Sequence, residues 1–381
     1  LMLKNKIYKY LASEIFKNFI TILFTFTAIA WTVRAVNFLD LIIDDGYSAI
    51  VYFKYSLLNI SNIISRFVPL SFLLSLIISI TKFDRQQELL ILWVAGLNKI
   101  KIANIFFLIG FCIALLQILL GLIINPFALN KSRTLLRETN SKQISSILKS
   151  NDFSDNFQGI TFYIDEKNSN NELINIFIKD NNGSLKTIIN EVNKDQDTTV
   201  YAKKGYILKN KLILFNGTFQ TLTEGNKIKN IDFDKTELSL ANFSTRTIMQ
   251  PKIQETSSFV LLKCVLLKNT SELSKDCIFG DNRKIVIEAL SRRLGMPLYI
   301  PLISIIASYL LVLKKEKKYN YLRKYIVFFL AFVLLVSAEI LLKFTGFSLI
   351  NLTLYFLSPL ILLASLYILL SKIMISEKIA K

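Results

Sequence analysis

The side chains most capable of chemistry in this sequence are four cations that lie at the ends of long apolar runs or inside them. These are Arg34, Arg66, Lys54 and Lys343. Ionisable groups at membrane depth are costly, and they usually face a protein interior or a water-filled cavity. Guanidinium groups also bind phosphate through paired hydrogen bonds. The set therefore favours a cavity for an anionic amphiphile, with the alternative that Arg34 and Lys343 only extend to lipid head groups.

Metal-dependent and acid–base catalysis find little support in the sequence. The chain contains no histidine, and its three cysteines, Cys112, Cys264 and Cys277, lack metal-ligand spacing. Cys264 and Cys277 are either free or paired with each other. Glu339 is isolated at membrane depth and is expected to pair with Lys343, one helical turn later. The sequence thus predicts no metal, no cofactor and no catalytic site of its own, and it lacks a Walker motif for ATP.

A second candidate site is the segment 84–97, which has the pattern of a short amphipathic helix. The residues singled out there are Arg85, Glu88, Leu89, Leu92, Trp93 and Gly96. The leucines and the tryptophan share one face, the charged residues lie on the polar side, and the glycine is placed to end the helix. Two interpretations carry equal weight. The helix either rests on lipid head groups or docks a cytoplasmic partner, to which Glu88 supplies a charged contact.

The elements that must position these residues are membrane-spanning helices. Of the 381 residues, 52% are hydrophobic, and the mean hydropathy is +0.44, which soluble domains of this size rarely reach. A bilayer core of about 30 Å needs about twenty apolar residues in a helix. Six runs of this kind begin near residues 16, 57, 102, 294, 325 and 349. The second run is the weakest, because Asn62, Ser65 and Arg66 interrupt its first half.

The distribution of charge predicts the orientation of the chain. The net charge of +18 is compatible with nucleic acid, but the basic residues cluster at the ends of apolar runs, as in membrane proteins, so no nucleic-acid partner is expected. Lysine and arginine are concentrated at both chain ends and in the loops around residues 82–101 and 314–324. By the positive-inside rule, this pattern predicts cytoplasmic termini in a bacterial inner membrane and a segment of about 126–282 outside.

The outer segment is predicted to contain an all-β domain. Its composition shifts to Asn, Asp, Lys, Thr and Gly, and its β-prone stretches cover residues 160–164, 174–178 and 211–215. Turn signals separate them at Asn181–Gly183, Asn216–Gly217 and Glu224–Asn226. Regular short strands with such turns are typical of an antiparallel sandwich or a jelly roll.

The predicted fold class is an α-helical polytopic membrane protein with six transmembrane helices and an inserted all-β periplasmic domain of the jelly-roll type. The expected organisation places transmembrane helices 1–3 in residues 1–125, the jelly roll in 126–256, a helical connector in 257–293 and transmembrane helices 4–6 in 294–381.

Over its whole length the chain resembles the LptF/LptG (YjgP/YjgQ) permeases of lipopolysaccharide-export ABC transporters. Segment Gln87–Leu97 is similar to the coupling helix of that family, with Gln87 where serine is usual, and Glu288–Leu298 is similar to the entry into the fourth crossing. The end of the first crossing, Val36–Asp40, and the stretches 159–164 and 171–178 also match. The last two features and the entry segment resemble LptF more than LptG.

The resemblance implies a transport subunit powered by a partner. A cytoplasmic ABC ATPase dimer would dock on the coupling helix through Glu88, and ATP-driven closure would expel lipopolysaccharide from a cavity shared with a second, homologous permease. The jelly roll would pass the lipid to a periplasmic bridge protein and its membrane-anchored adaptor. Arg34 matches the family's basic residues that meet lipid phosphates near the lateral gate, whereas Arg66 is our own extension of that idea.

Two other functional classes compete with this interpretation. A mechanotransmission or signalling protein would couple to an ATPase without moving a substrate, and it would need no cations lining a cavity. An intramembrane enzyme would need paired carboxylates, a Ser–Lys pair or histidines at membrane depth, and the sequence offers no convincing set.

Overall fold

The computed structural model describes residues 6–43, 47–147, 150–157, 159–168, 172–181, 198–208, 211–223, 227–239, 252–266, 283–312 and 317–379. The chain divides into two compact units. The first unit takes in Leu1–Val33, Asn59–Asn130 and Lys252–Lys381, and the second takes in Arg34–Leu58 and Lys131–Pro251.

Six helical stretches in the described part of the chain are long and apolar enough to cross a membrane. They are Lys6–Ile43, Ala49–Arg85, Lys99–Leu136, Arg283–Leu311, Leu322–Phe344 and Leu349–Ser376. Each of the six apolar runs predicted from the sequence begins inside one of these stretches. The predicted helical polytopic membrane fold is therefore confirmed.

The individual helices are numbered here in chain order. They are α1 Lys6–Asn37, α2 Asp40–Ile43, α3 Ala49–Arg85, α4 Glu88–Val94, α5 Lys99–Leu119, α6 Asn125–Ile147, α7 Ser258–Leu266, α8 Arg283–Leu294, α9 Tyr299–Ser308, α10 Lys317–Phe344 and α11 Leu349–Ile379. A π-helical turn, Leu120–Ile124, joins α5 to α6, and short 3-10 turns flank α9 at Met296–Leu298 and Tyr309–Leu311.

Helix α9 lies at the centre of the first unit, where all ten of its residues are buried. A helix that is buried on every side must be apolar or small-residue on every side, and the sequence of α9 satisfies this. It packs closely on α5 at Gly110, where an added Cβ would lie 3.2 Å from the Cβ of Ser304. Small residues at such crossings let helix backbones approach in a membrane, where no hydrophobic force drives helices together.

The inserted domain is a six-stranded antiparallel sheet in the second unit. Its strands are β1 Asp152–Phe157, β2 Ile160–Lys167, β3 Glu172–Asp180, β4 Thr198–Leu208, β5 Lys211–Thr223 and β6 Lys227–Ser239. Buried apolar side chains alternate along the strands, for example Ile160, Phe162 and Ile164 in β2, because successive residues point to opposite faces. The three β-prone stretches predicted from the sequence lie in β2, β3 and β5, so the inserted β domain is confirmed.

The order of the strands is simpler than a jelly roll requires. Every strand pairs with the next in sequence, giving the order β1-β2-β3-β4-β5-β6. A jelly roll contains Greek-key crossovers, and none occurs among the six strands that the structure describes. Those strands form a meander.

One predicted turn is wrong, because Asn216 and Gly217 lie in the middle of β5 instead of at a strand end. Asn216 has a positive φ of 50°, as a turn residue would. Strand β5 nevertheless continues through this position, because it is paired with β4 on one side and β6 on the other. The signals at 182–183 and 224–226 lie outside the described residues.

Gly217 is expected to be essential for the close packing of this sheet. An added Cβ would lie 2.2 Å from the carbonyl oxygen of Tyr201 and 2.5 Å from the ring of Phe233. The backbone carbonyl cannot move aside cheaply, so Gly217→Ala should destabilise the domain by about 2 kcal/mol, as overpacking does. Thermal unfolding followed by β-sheet circular dichroism measures this. Gln220→Ala, at an exposed position of the same strand, is the control and should change stability by less than about 0.5 kcal/mol.

Candidate functional site

A polar cavity of about 360 Å³ lies within the first compact unit, called the helical unit from here on. Its walls come from α3, from α5 with the π turn and the start of α6, from the segment before α7, from α8 with the 3-10 turn that follows, and from α10. The polar residues that line it are Asn62, Ser65, Arg66, Gln117, Asn125, Gln254, Glu288, Arg292, Arg293 and Glu339. This volume is on the scale of small-ligand sites, which run from roughly 300 to 1,000 Å³.

The polar interruption of the second apolar run is the wall of this cavity. Helix α3 runs unbroken from Ala49 to Arg85, and Asn62, Ser65 and Arg66 all line the cavity from it. Polar groups inside a membrane are tolerated where they face a wet interior. The apolar run is therefore weak for a physical reason, and the helix still spans.

A proline accounts for the contact between α3 and α5 at the cavity. Pro69 has no N–H, so it cannot donate to the carbonyl of Ser65 four residues earlier. The side-chain amide of Gln117 donates to that carbonyl instead, at 3.3 Å. The side-chain oxygens of Gln117 and Asn125 are buried and accept no hydrogen bond within the described chain. Unsatisfied acceptors of this kind are costly, which suits a cavity that holds water or hydroxyl groups.

The charged rim of the cavity is built by Arg292, which links two helices. Its guanidinium lies 3.0 Å from one carboxylate oxygen of Glu339 on α10 and 4.0 Å from Glu288 on its own helix. The prediction that Glu339 pairs with Lys343 is wrong, because the carboxylate of Glu339 pairs with Arg292 of α8 instead. Arg292 and Glu339 remain 44% exposed, so both can also contact a ligand.

The adjacent Arg293 has a different role, because its side chain is buried. Arg293 is 9% exposed and its guanidinium donates to the carbonyls of Ile253, Gln254 and Thr256 at 3.1 to 3.3 Å. It also donates to the hydroxyl of Ser258 at 2.7 Å. These bonds fix the irregular segment before α7 to α8. The residue is thus a structural cation beside the cavity.

The π-helical turn of the third span is held by the same network. Its residues follow an i to i+5 pattern, which leaves backbone groups to be satisfied from outside. The hydroxyl of Ser258 donates to the carbonyl of Leu122 at 2.8 Å, and it accepts from Arg293. Gly121 of this turn lies against the backbone of Arg293, where an added Cβ would sit 3.5 Å from the carbonyl oxygen, an ordinary contact distance.

The four cations predicted from the sequence divide between the two compact units. Arg66 lines the cavity. Lys343 is exposed in the last turn of α10 and does not line it. Arg34, in the last turn of α1, and Lys54, exposed on α3, belong to the second unit. Sequence reasoning missed Arg292 and Arg293, although the signal was present as two adjacent arginines at the start of an apolar run.

The predicted amphipathic helix is present as α4. Leu89 is buried at 4% exposure, and Leu92 and Trp93 pack against the core of the helical unit. Glu88 opens the helix, and Arg85 is exposed just before it. The carboxylate of Glu88 accepts a hydrogen bond from the hydroxyl of Tyr10 on α1, at 3.1 Å.

Gly96 ends α4 as the sequence predicted. It adopts φ of 84°, the left-handed conformation that glycine reaches without strain. Its N–H donates to the carbonyl of Trp93, and the N–H of Leu97 donates to the carbonyl of Leu92. This pair of bonds is the Schellman motif, which satisfies the last carbonyls of a helix.

The outward face of α4 is also apolar, which the sequence pattern did not predict. Leu90, Ile91 and Val94 are 53%, 63% and 81% exposed. Exposed apolar patches of this kind mark surfaces that meet a protein or a membrane. The short helix therefore has one face committed to the bundle and a second face free for contact.

The cysteines divide between two states. Cys112 is a free thiol on α5, and Cys264 is disulfide-bonded. Cys277, the partner considered for Cys264, lies outside the described residues.

Comparisons with known proteins identify the family. The sequence profile described as "Lipopolysaccharide export system permease LptF/LptG" matches residues 9–373, which is almost the whole chain. The chain belongs to this family. It is also 23% identical over 295 residues to the uncharacterized protein RP871 of Rickettsia prowazekii (strain Madrid E), covering 76% of this chain and 77% of that protein.

Membership places the LptF/LptG chain among the permease components of lipopolysaccharide export. With six candidate spans, it is a multi-pass inner-membrane protein and a transporter component.

Proposed function

We propose that this permease extracts lipopolysaccharide from the outer leaflet of the inner membrane and passes it to a periplasmic bridge protein. The observation that carries the proposal is the family match over residues 9–373. The cavity supports it, because a spanning bundle that keeps Arg66, Arg292 and Glu339 at membrane depth tolerates them for a ligand or for water. The energy comes from a cytoplasmic ABC ATPase dimer bound to the permease.

Helix α4 is the proposed docking site for that ATPase. Glu88 supplies the charged contact and Arg85 lies beside it. Leu89, Leu92 and Trp93 anchor the helix to the bundle, and Gly96 ends it. The exposed apolar face of α4 supports docking, because an apolar centre with a polar rim is the composition of protein interfaces. The alternative, a helix resting on head groups, predicts that α4 variants change membrane association and leave ATPase recovery unaltered.

Arg66 and Arg292 are the proposed contacts for lipid phosphate. Arg66 is exposed and lines the cavity, and Arg292 stands at its rim. Guanidinium groups in such a position can bind phosphate through two hydrogen bonds. Arg34, Lys54 and Lys343 are proposed as further phosphate contacts along the path of the lipid, Arg34 on the strength of its match to the family's gate residues.

The proposed orientation follows from the positive-inside rule. Both termini and α4 lie in the cytoplasm, and the β domain lies in the periplasm, where it meets the bridge protein and its membrane-anchored adaptor. A second, homologous permease completes the lipid cavity. Within the family, we assign the chain to the LptF type, on the resemblance of Glu288–Leu298 and of the opening strands.

Lipid recovery with arginine variants tests the phosphate contacts. The double variant Arg66→Gln, Arg292→Gln should lower the lipopolysaccharide that copurifies per chain by at least about a hundredfold. Hydrogen bonds to charged groups contribute about 1.5–3 kcal/mol each, and about 1.4 kcal/mol corresponds to a factor of ten in affinity. Quantitative mass spectrometry of extracted lipid measures this. Lys372→Gln, an exposed cation on α11, is the control. Equal lipid recovery from the double variant and the control would show that these two arginines of the cavity do not bind the lipid.

The second candidate function is mechanotransmission, in which the membrane stem couples an ATPase to an external domain and moves no substrate. The buried network around Arg293 favours it specifically, because a stiff connection between α8 and the segment before α7 suits force transfer. It predicts an ATPase partner without bound lipid.

A further inference from the structure

A tyrosine that has no role in the function proposed above lies against Glu88, the residue proposed to contact the ATPase. Tyr10 lies on the second turn of α1, and Glu88 is the first residue of α4. The Tyr10 hydroxyl donates to a carboxylate oxygen of Glu88 at 3.1 Å. These residues are 78 positions apart in the chain, so the contact is made by the fold and joins two separate helices.

Tyr10 is 48% exposed, and its ring packs on one neighbouring ring. The ring of Tyr10 packs against that of Phe83, with their centroids 6.2 Å apart, and Phe83 is fully buried. One turn further along α1, Glu14 forms an ion pair with Lys82 of α3. Two polar contacts and one aromatic contact therefore fix the start of α1 against the junction of α3 and α4.

That junction needs a restraint because α3 and α4 are not one continuous helix. Gln87 sits between them with φ of 56°, an uncommon left-handed conformation for a residue other than glycine. Its side chain makes no capping bond to α4. Without a hydrogen bond from another helix, the Glu88 side chain would populate several rotamers, and each rotamer directs the carboxylate differently.

We infer that Tyr10 is a positioning residue for Glu88 and makes α1 part of the ATPase-docking connection. This inference rests on the docking function proposed for α4. The hydroxyl binds one carboxylate oxygen and leaves the other available, so that the bound partner meets a pre-oriented charge. Pre-orientation raises affinity by reducing the entropy lost when the side chain is ordered on binding.

Helix α1 extends well beyond its contact with α4. This helix is continuous from Lys6 to Asn37, which is about 48 Å at 1.5 Å per residue. Tyr10 lies near one end and Arg34 lies in its last turn. A displacement of α4 by the ATPase therefore acts on the start of α1 through the Tyr10 contact.

A double-mutant cycle tests the inference. The probe is the soluble ABC-type ATPase that copurifies with the wild-type permease, titrated against the purified full-length chain in detergent. Tyr10→Phe should weaken ATPase binding about fivefold, which equals about 1 kcal/mol, and should have no effect in a Glu88→Ala background. Tyr52→Phe, which removes a hydroxyl that donates to the Ala35 carbonyl, is the control and should bind like wild type.

Each outcome of the cycle has one meaning. Equal weakening by Tyr10→Phe with and without Glu88 would show a general structural effect and overturn the inference. Wild-type binding by Tyr10→Phe, while Glu88→Ala binds weakly, overturns the inference and leaves the docking function standing. Wild-type binding by Glu88→Ala, or an absence of any copurifying ATPase, overturns the docking function, and the inference falls with it.

Discussion

Glu88→Ala is expected to lower the recovery of the ATPase with this permease by more than about tenfold, while the chain still inserts in the membrane. Loss of one partner of a charged contact in an interface costs about 2–5 kcal/mol, because the other charge is left buried and unpaired. Glu88 makes one described contact within the chain, the hydrogen bond from Tyr10, so its removal should leave the bundle folded. The measurement is the molar ratio of ATPase to permease after mild-detergent purification.

The matched control for this variant removes a carboxylate elsewhere. Glu237→Ala in β6 removes a partly exposed carboxylate that pairs with Lys211 at 3.1 Å, and it should leave ATPase recovery unchanged. If Glu88→Ala recovers the ATPase at the wild-type ratio, α4 is not the docking helix, and its exposed apolar face is better explained by contact with lipid head groups.

Arg293→Met is expected to lower the stability of the helical unit by about 3 kcal/mol, whereas Arg292→Met should change it by less than about 1 kcal/mol. The guanidinium of Arg293 satisfies three backbone carbonyls and the Ser258 hydroxyl. Its loss leaves those acceptors buried, and each unsatisfied group costs about 1–3 kcal/mol before relaxation. Arg292 forms a half-exposed ion pair with Glu339, and pairs of this kind contribute little.

The two neighbouring variants therefore separate structure from ligand binding. Thermal unfolding in detergent should show a lower midpoint for Arg293→Met and a nearly unchanged one for Arg292→Met. Bound lipopolysaccharide should fall in Arg292→Met at full stability. Equal destabilisation by both variants would contradict the distinct roles assigned to these adjacent arginines.

The sequence predicted the spanning helices and the β insertion because both follow from local patterns. About twenty apolar residues are required by the thickness of the bilayer, and alternation at 160–164 follows from strand geometry. Gly96 ended its helix for a similarly local reason, since the left-handed conformation required there suits glycine. These features are decided within a few residues.

The parts that sequence reasoning missed are decided by tertiary contacts. Glu339 had a suitable cation one turn away in Lys343, yet it pairs with Arg292, 47 positions distant in the chain. Arg292 and Arg293 are adjacent in sequence, and only the fold shows that one is half-exposed and the other buried. Asn216 and Gly217 carry a turn signal, but the strands on both sides of β5 override it.

The most direct test of the central claim is mild-detergent purification of the full-length chain, followed by mass spectrometry of the proteins and lipids recovered with it. The account predicts a soluble ABC-type ATPase, a second homologous permease and lipopolysaccharide in the same complex. Recovery of an ATPase with neither a second permease nor lipopolysaccharide would contradict lipid extraction, and it would favour a membrane stem that transmits force.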